Sequence, residues 1–308
     1  MAFSASEAAF EGFRIIRREP LSVVAWAVVQ LIFSAAVTAL LLPMMGPVMA
    51  MGGLNAARGG ASPAAVAAMA AVGRLYVVMI PIELIFFAIL SAAVYRTVLR
   101  PGDKGLARLK LGGDELRLAG LFLLLVLLTF VVGIAAGIVA VLLGAGATMA
   151  AQSAPAVGGL LTFVIYLAFM AFFIWFGVRL SFAAPMTFAR KRIRVFAAWP
   201  LTKGRFWSLF GAYLLAFVFI FIISMAFLAL EVAVGLGAAK GSLVQAAAGV
   251  FRPDASSLQA YFSPVRLVLL PFSAALAAVI WTIGLAPAAK AYQEITGLSP
   301  ETQADTFS

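Results

Sequence analysis

The sequence predicts an all-α integral membrane protein with six transmembrane helices, and three observations predict it. Of its 308 residues, 64% are hydrophobic and only 11% charged, far from the balance of a soluble domain. Six apolar runs each approach or exceed the roughly 20 residues that a helix needs to cross a bilayer. None shows the two-residue alternation of a barrel strand. Backbone groups in lipid must bond within their own segment or in a closed barrel, so runs of this kind are helices.

The elements follow in order. Residues 1–20 read as an N-terminal amphipathic cytoplasmic helix. Ser4 and Glu7 fit a capping box; Ala5, Ala9, Phe13 and Ile16 share one face, with Glu11, Arg14 and Arg18 opposite. Pro20 then turns the chain. The first apolar run, Leu21 to Leu42, exceeds the about 7 to 15 residues of a signal peptide's apolar region and reads as an uncleaved span. The remaining spans are expected near 75–99, 118–143, 158–182, 207–234 and 265–288, which makes 21–290 one transmembrane domain and 291–308 a cytoplasmic tail. The connections 43–73, 144–157 and 235–264 are nearly uncharged and rich in Ala, Gly, Ser and Pro; they read as small caps or interfacial helices. Pro20-Leu21-Ser22 is echoed by Pro200-Leu201-Thr202, and Pro101, Pro185 and Pro287 each fall near the inner end of an even-numbered span. This pattern predicts three hairpins on one plan, with amphipathic interfacial helices on the cytoplasmic side.

Charge sets the expected orientation. The formal net charge is +10, and 17 of the 22 Lys and Arg residues fall on the side that holds both termini. By the positive-inside rule that side is the cytoplasm. The chain has no Cys and no His, which removes disulfides, thiolate nucleophiles, imidazole bases and most zinc or copper sites. Neither Gly-rich phosphate loops nor acidic metal clusters are found, so no catalytic residue, cofactor or metal is expected.

Between the fourth and fifth spans, Phe188 to Trp207 carries six cations and no acid among Phe188, Phe196, Trp199, Phe206 and Trp207. Placed on a helix, residues 189–197 gather Ala189, Ile193, Phe196 and Ala197 on one face, while Arg190, Lys191 and Arg194 fall away from it and Arg192 borders it. The expectation is an interfacial helix. Arg190, Lys191, Arg192, Arg194, Lys203 and Arg205 would reach lipid phosphate while Trp199 and Trp207 occupy the headgroup layer. Nucleic acid is the rival ligand for such a stretch, but spans on both sides favour anionic lipid.

From Arg179 through Pro185 to Trp199-Pro200-Leu201-Thr202-Lys203-Gly204-Arg205-Phe206-Trp207, the chain resembles bacterial membrane proteins related to the glycerophosphoryl diester phosphodiesterase membrane-domain family. The resemblance is sharp over about 30 residues and architectural elsewhere. It implies a bacterial inner-membrane module of helices. It does not imply the hydrolase, whose catalytic His residues have no counterpart here.

Within the spans, Glu83 lies near the expected bilayer middle, just after Pro81. A carboxylate there is either protonated and bonded to backbone that Pro81 leaves unpaired, or part of a functional path. Glu231 lies nearer the outer interface and is expected to reach it. Gly133 and Gly137 form a GxxxG, with Ser273, Ala274, Ala277 and Ala278 as small residues in the last span; packing within the chain is favoured over contact between chains. Asp114 and Glu115 are expected to cap the third span and fill its first turn, and Arg179 to close the fourth. The resulting expectation is a non-catalytic polytopic inner-membrane protein that binds anionic headgroups and a membrane or cytoplasmic protein partner, or its own copy, but no nucleic acid. A small transporter or lipid translocator using Glu83 is the alternative.

Overall fold

The structure is a computed structural model that describes residues 4–50, 63–103, 105–238 and 257–298. Arg58, Lys104, Lys240 and Arg252 of the charge count, and the tail from 299 onward, lie outside the described residues. Among the described residues, six helices are long and apolar enough to cross a membrane, and the protein is an all-α, multi-pass membrane protein.

Helix α1 (Ala5–Arg18) starts where the capping signal places it, with Ser4 Oγ accepting from the Glu7 amide at 3.4 Å. It ends at Glu19, and Pro20 opens α2 (Pro20–Ala50). The other long helices are α3 (Pro63–Leu99), α4 (Gly113–Ser153), α5 (Pro155–Leu180), α8 (Phe206–Ala238) and α10 (Pro264–Thr296). Among the described residues, short helices in the connections are α6 (Ala183–Arg190), α7 (Ala198–Thr202) and α9 (Leu258–Tyr261).

Five of the six long helices outrun the spans expected for them, whereas α5 starts earlier and ends two residues short of its expected end. The supposed cap 144–157 is mostly the continuation of α4, which turns at Ala154 directly into α5. Gly158 makes that hairpin possible, because a Cβ there would collide with the backbone of Ala151. Residues 291–296, expected as tail, are the last turns of α10.

The consecutive spans pack in pairs, as expected, and a further contact closes the bundle. The α4–α5 and α8–α10 pairs pack as neighbours, but α2 packs more extensively on α10 than on α3, so the first and last spans close the bundle. Helix α10 is the hub, touching α1, α2, α3 and α8.

Helix α1 buries its small-residue face in the bundle and keeps Arg17 and Arg18 exposed. It lies on α10 and α8. Its buried residues are Ala8, Ala9, Glu11, Gly12 and Ile15, so Glu11, expected on the polar face, is only 8% exposed. Small residues permit this: a Cβ on Gly12 would stand 2.5 Å from Ile283 Cα.

The core is concentrated at the end that carries the α3–α4 loop and the α5–α8 linker, here the basic end. There the last turns of α3, the first turns of α4, helix α6 and the C-terminal half of α10 bury Tyr95, Leu118, Phe188 and Tyr292. Away from that end the helices expose apolar side chains such as Val77, Ile138 and Phe163, as suits a surface facing acyl chains.

Candidate functional site

The α3–α4 loop is tied into the basic end by ion pairs. Arg96, in the last turn of α3, is 2% exposed. Its Nη2 bonds Glu115 Oε1, its Nη1 donates to Arg108 O at 2.8 Å, and its Nε stands 3.7 Å from Asp103 Oδ2. Arg108 in turn grips Glu19 with two nitrogens, Nε at 2.7 Å, which joins the loop to the α1–α2 turn. Arg100 Nη1 donates to Asp114 Oδ2 and its Nη2 to Phe188 O, both at 2.8 Å, and its guanidinium lies 4.5 Å from the Phe188 ring centre. Asp114 also accepts from Arg117 at 2.8 Å.

This loop holds two strained residues in place. Ala107 and Arg108 adopt left-handed backbone angles, φ 49° and 57°. Such geometry costs about 1–2 kcal/mol for each residue with a Cβ. Their carbonyls are the groups that Trp26 Nε1 and Arg96 Nη1 bond, both at 2.8 Å, so the contacts offset the strain. The Arg108 hydrogen bond holds the Glu19 carboxyl below its ordinary range despite partial burial, and the Lys110 hydrogen bond does the same for Asp103.

Asp114 and Glu115 do fill the first turn of α4, but its cap is Gly112, and their main contacts are Arg100 and Arg96. The loop cations, which sequence counts only as topology markers, are therefore largely neutralised by acids far along the chain. A basic residue followed by DE some 15 residues later was the available signal.

The α5–α8 linker is different. Helix α6 stops at Arg190 because Lys191 takes a left-handed φ of 53°, and residues 191–197 are not helical. The expected interfacial helix over 189–197 is thus corrected to the end of a short helix and an irregular segment. Arg190, Lys191, Arg192, Arg194, Lys203 and Arg205 are all exposed nevertheless. Arg205 Nη1 reaches Leu201 O at 3.4 Å. No acid pairs with Arg190, Arg192, Arg194 or Lys203 among the described residues. Phe196 and Trp207, 62% and 77% exposed, flank them.

Trp199 turns inward instead. Its ring meets Trp175 edge-on at 5.2 Å, and the Arg179 guanidinium lies 5.7 Å from Trp175 and 5.9 Å from Trp199. Thr202 Oγ1, buried, donates to Trp199 O at 3.0 Å and Arg179 O at 3.4 Å. The Trp-Pro-Leu-Thr turn therefore docks onto the end of α5. Arg179 has a packing role beyond topology.

Glu83 is exposed on α3, as is Pro81, and makes no hydrogen bond or ion pair among the described residues. The bond to backbone freed by Pro81, one of the two alternatives for Glu83, is not formed among the described residues. Glu231 does not reach for the interface but accepts from Ser273 Oγ at 2.9 Å, joining α8 to α10. Ala274 and Ala278 are buried as expected. Gly133 and Gly137 are not a contact within the chain, since a Cβ on either would meet nothing within 4 Å. Gly133 instead borders an apolar groove of about 780 Å³ between α3 and α4, walled by Leu84, Phe87, Phe122 and Phe130. No group of three or more potential metal ligands occurs among the described residues.

Comparison of the chain with protein-family models, curated proteins and solved structures finds no match.

Proposed function

We propose that this chain is a non-catalytic inner-membrane protein of bacterial type, with both termini in the cytoplasm, whose basic end holds anionic lipid headgroups and recruits a membrane or cytoplasmic protein to that surface. One observation carries the reading: the cations divide into two classes. Arg96, Arg100, Arg108 and Lys110, at the α3–α4 loop, are paired with Glu19, Asp103, Asp114 and Glu115. Those of the 190–205 segment are exposed, lie in a stretch without an acid, and stand beside exposed Phe196 and Trp207.

A surface that is both cationic and aromatic, flanked by two spans, fits the boundary where phosphate meets acyl chains. Nucleic acid would need a basic face projecting into water, and this one is tethered at the membrane on both sides. The resemblance of residues 179–207 to the phosphodiesterase membrane module supports a membrane role without the hydrolase.

The test is replacement of Arg190, Lys191, Arg192 and Arg194 by Gln. Each charge contributes about 1 kcal/mol of attraction to an anionic surface. Amide exchange of residues 190–205 should slow when the parent moves from neutral to anionic bilayers, and the variant should lose that protection. Equal protection of parent and variant in anionic bilayers would overturn the proposal.

A further inference from the structure

Helix α1 carries a second cationic and aromatic feature, on the flank of the bundle rather than at its end. A cavity of about 400 Å³ is lined by Phe10, Phe13, Arg14, Arg17 and Arg18, one stripe of α1 at helical spacing. The Phe10 and Phe13 rings are 6.0 Å apart, and each is 5.1 Å from Phe219 of α8.

The position of these contacts fixes the orientation of the groove. Phe219 lies about 20 Å along α8 from its start at the basic end, at 1.5 Å per residue. Ile283, which Gly12 touches, lies about as far from the C-terminal end of α10. The aromatic half of the cavity is thus set against membrane-spanning helices. Arg17 and Arg18 lie at the other end, beside the turn at Pro20 that leads into α2.

Charge is available there. Arg14 is engaged, with Nη1 donating to Glu11 Oε2 at 3.0 Å and to Glu7 O at 3.2 Å. Glu19, the next acid in the chain, is taken by Arg108. Arg17 and Arg18 are exposed and have no ion pair among the described residues. The cavity therefore has unneutralised guanidinium groups at its Pro20 end and two phenyl rings, backed by Phe219 of α8, at the other.

We infer that the cavity along α1 binds one anionic phospholipid, with its phosphate on Arg17 and Arg18 and an acyl chain along Phe10 and Phe13, where these rings meet Phe219 of α8. The inference shares the lipid-binding reading above but rests on residues separate from 190–205. A free phosphate would use the arginines and leave the rings idle, and an acidic peptide would not reach a site against the spans. Guanidinium groups suit phosphate because they present several donors in one plane.

Native mass spectrometry of the full chain with added phosphatidylglycerol or phosphatidylcholine tests this. The parent should bind a first phosphatidylglycerol more tightly than later ones, with no such step for phosphatidylcholine. Arg17→Gln with Arg18→Gln should weaken that first step roughly thirtyfold. Both residues are exposed, so the fold should persist, and an unchanged unfolding transition checks it. Phe10→Ala should weaken the lipid but not the binding of inorganic phosphate. An unchanged first step in the double Gln variant, equal binding of phosphatidylcholine, or displacement of the lipid by inorganic phosphate at comparable concentration would overturn the inference. Replacing Arg190, Lys191, Arg192 and Arg194 should leave the first step intact. If that quadruple variant also keeps its surface protection while the α1 variant loses its lipid, the reading of the 190–205 segment fails and this one stands.

Discussion

Arg96→Met probes whether the α3–α4 loop is held by its ion pairs. Met keeps most of the stem volume but removes the guanidinium, and Glu115 is then buried without its cation. Breaking one side of a buried pair costs about 3–5 kcal/mol. Arg108 O also loses its donor, at about 1–3 kcal/mol, though the two losses share one side chain and do not simply add. The expected total is about 4 kcal/mol, close to a thousandfold in the folding equilibrium. Adding Glu115→Met removes the stranded charge, and the double variant should regain about 2 kcal/mol or more over Arg96→Met alone. Unfolding in mixed detergent, followed by far-ultraviolet circular dichroism, measures the stabilities. Tryptic cleavage at Arg108 and Lys110 reports release of the loop in the single variant and its recovery in the double. A loss below about 1 kcal/mol for Arg96→Met, or no recovery in the double variant, would refute the argument that this pair anchors the loop.

Acid should release the same loop by another route. Glu19 and Asp103 titrate below their ordinary values in the folded protein, so their contribution is present above the unfolded carboxylate range and fades as pH falls through the folded values, below about 4; exchange of residues 100–112 should accelerate there and not between neutral pH and 6. Gly12→Ala should cost about 1–3 kcal/mol in detergent unfolding, because its Cβ meets the backbone of Ile283 and cannot be relieved by a side-chain rotation, whereas Gly137→Ala meets open space and should be neutral or slightly stabilising. Glu83→Gln and Glu83→Leu should both accumulate and unfold within about 0.5 kcal/mol of the parent, since no partner is lost among the described residues; a normally folded Glu83→Gln protein that fails to complement a deletion would promote the translocator reading.

Residue order alone specifies the number and type of spans, the cap of α1 at Ser4 and the break before Pro20. These are local matters: a backbone in lipid has to satisfy its own hydrogen bonds, so a run of apolar residues is enough to specify a helix. The extra turns at the helix ends leave no mark in the sequence because Ala and Gly favour no bilayer boundary and continue a helix without a hydropathy signal. Tertiary structure alone decided which cations are spent and which are available. Arg108 and Lys203 look alike in sequence, yet the first meets Glu19 across 89 positions of chain and the second meets no acid among the described residues. The same holds for small residues. Gly12 permits a helix crossing and Gly137 faces open space, although the GxxxG spacing pointed to the second. Ion pairs and close crossings depend on distances between residues remote in sequence, and a hydropathy or helical-face pattern contains no such distance; only the packing of α2 and α3 on the loop, and of α1 on α10, supplies it.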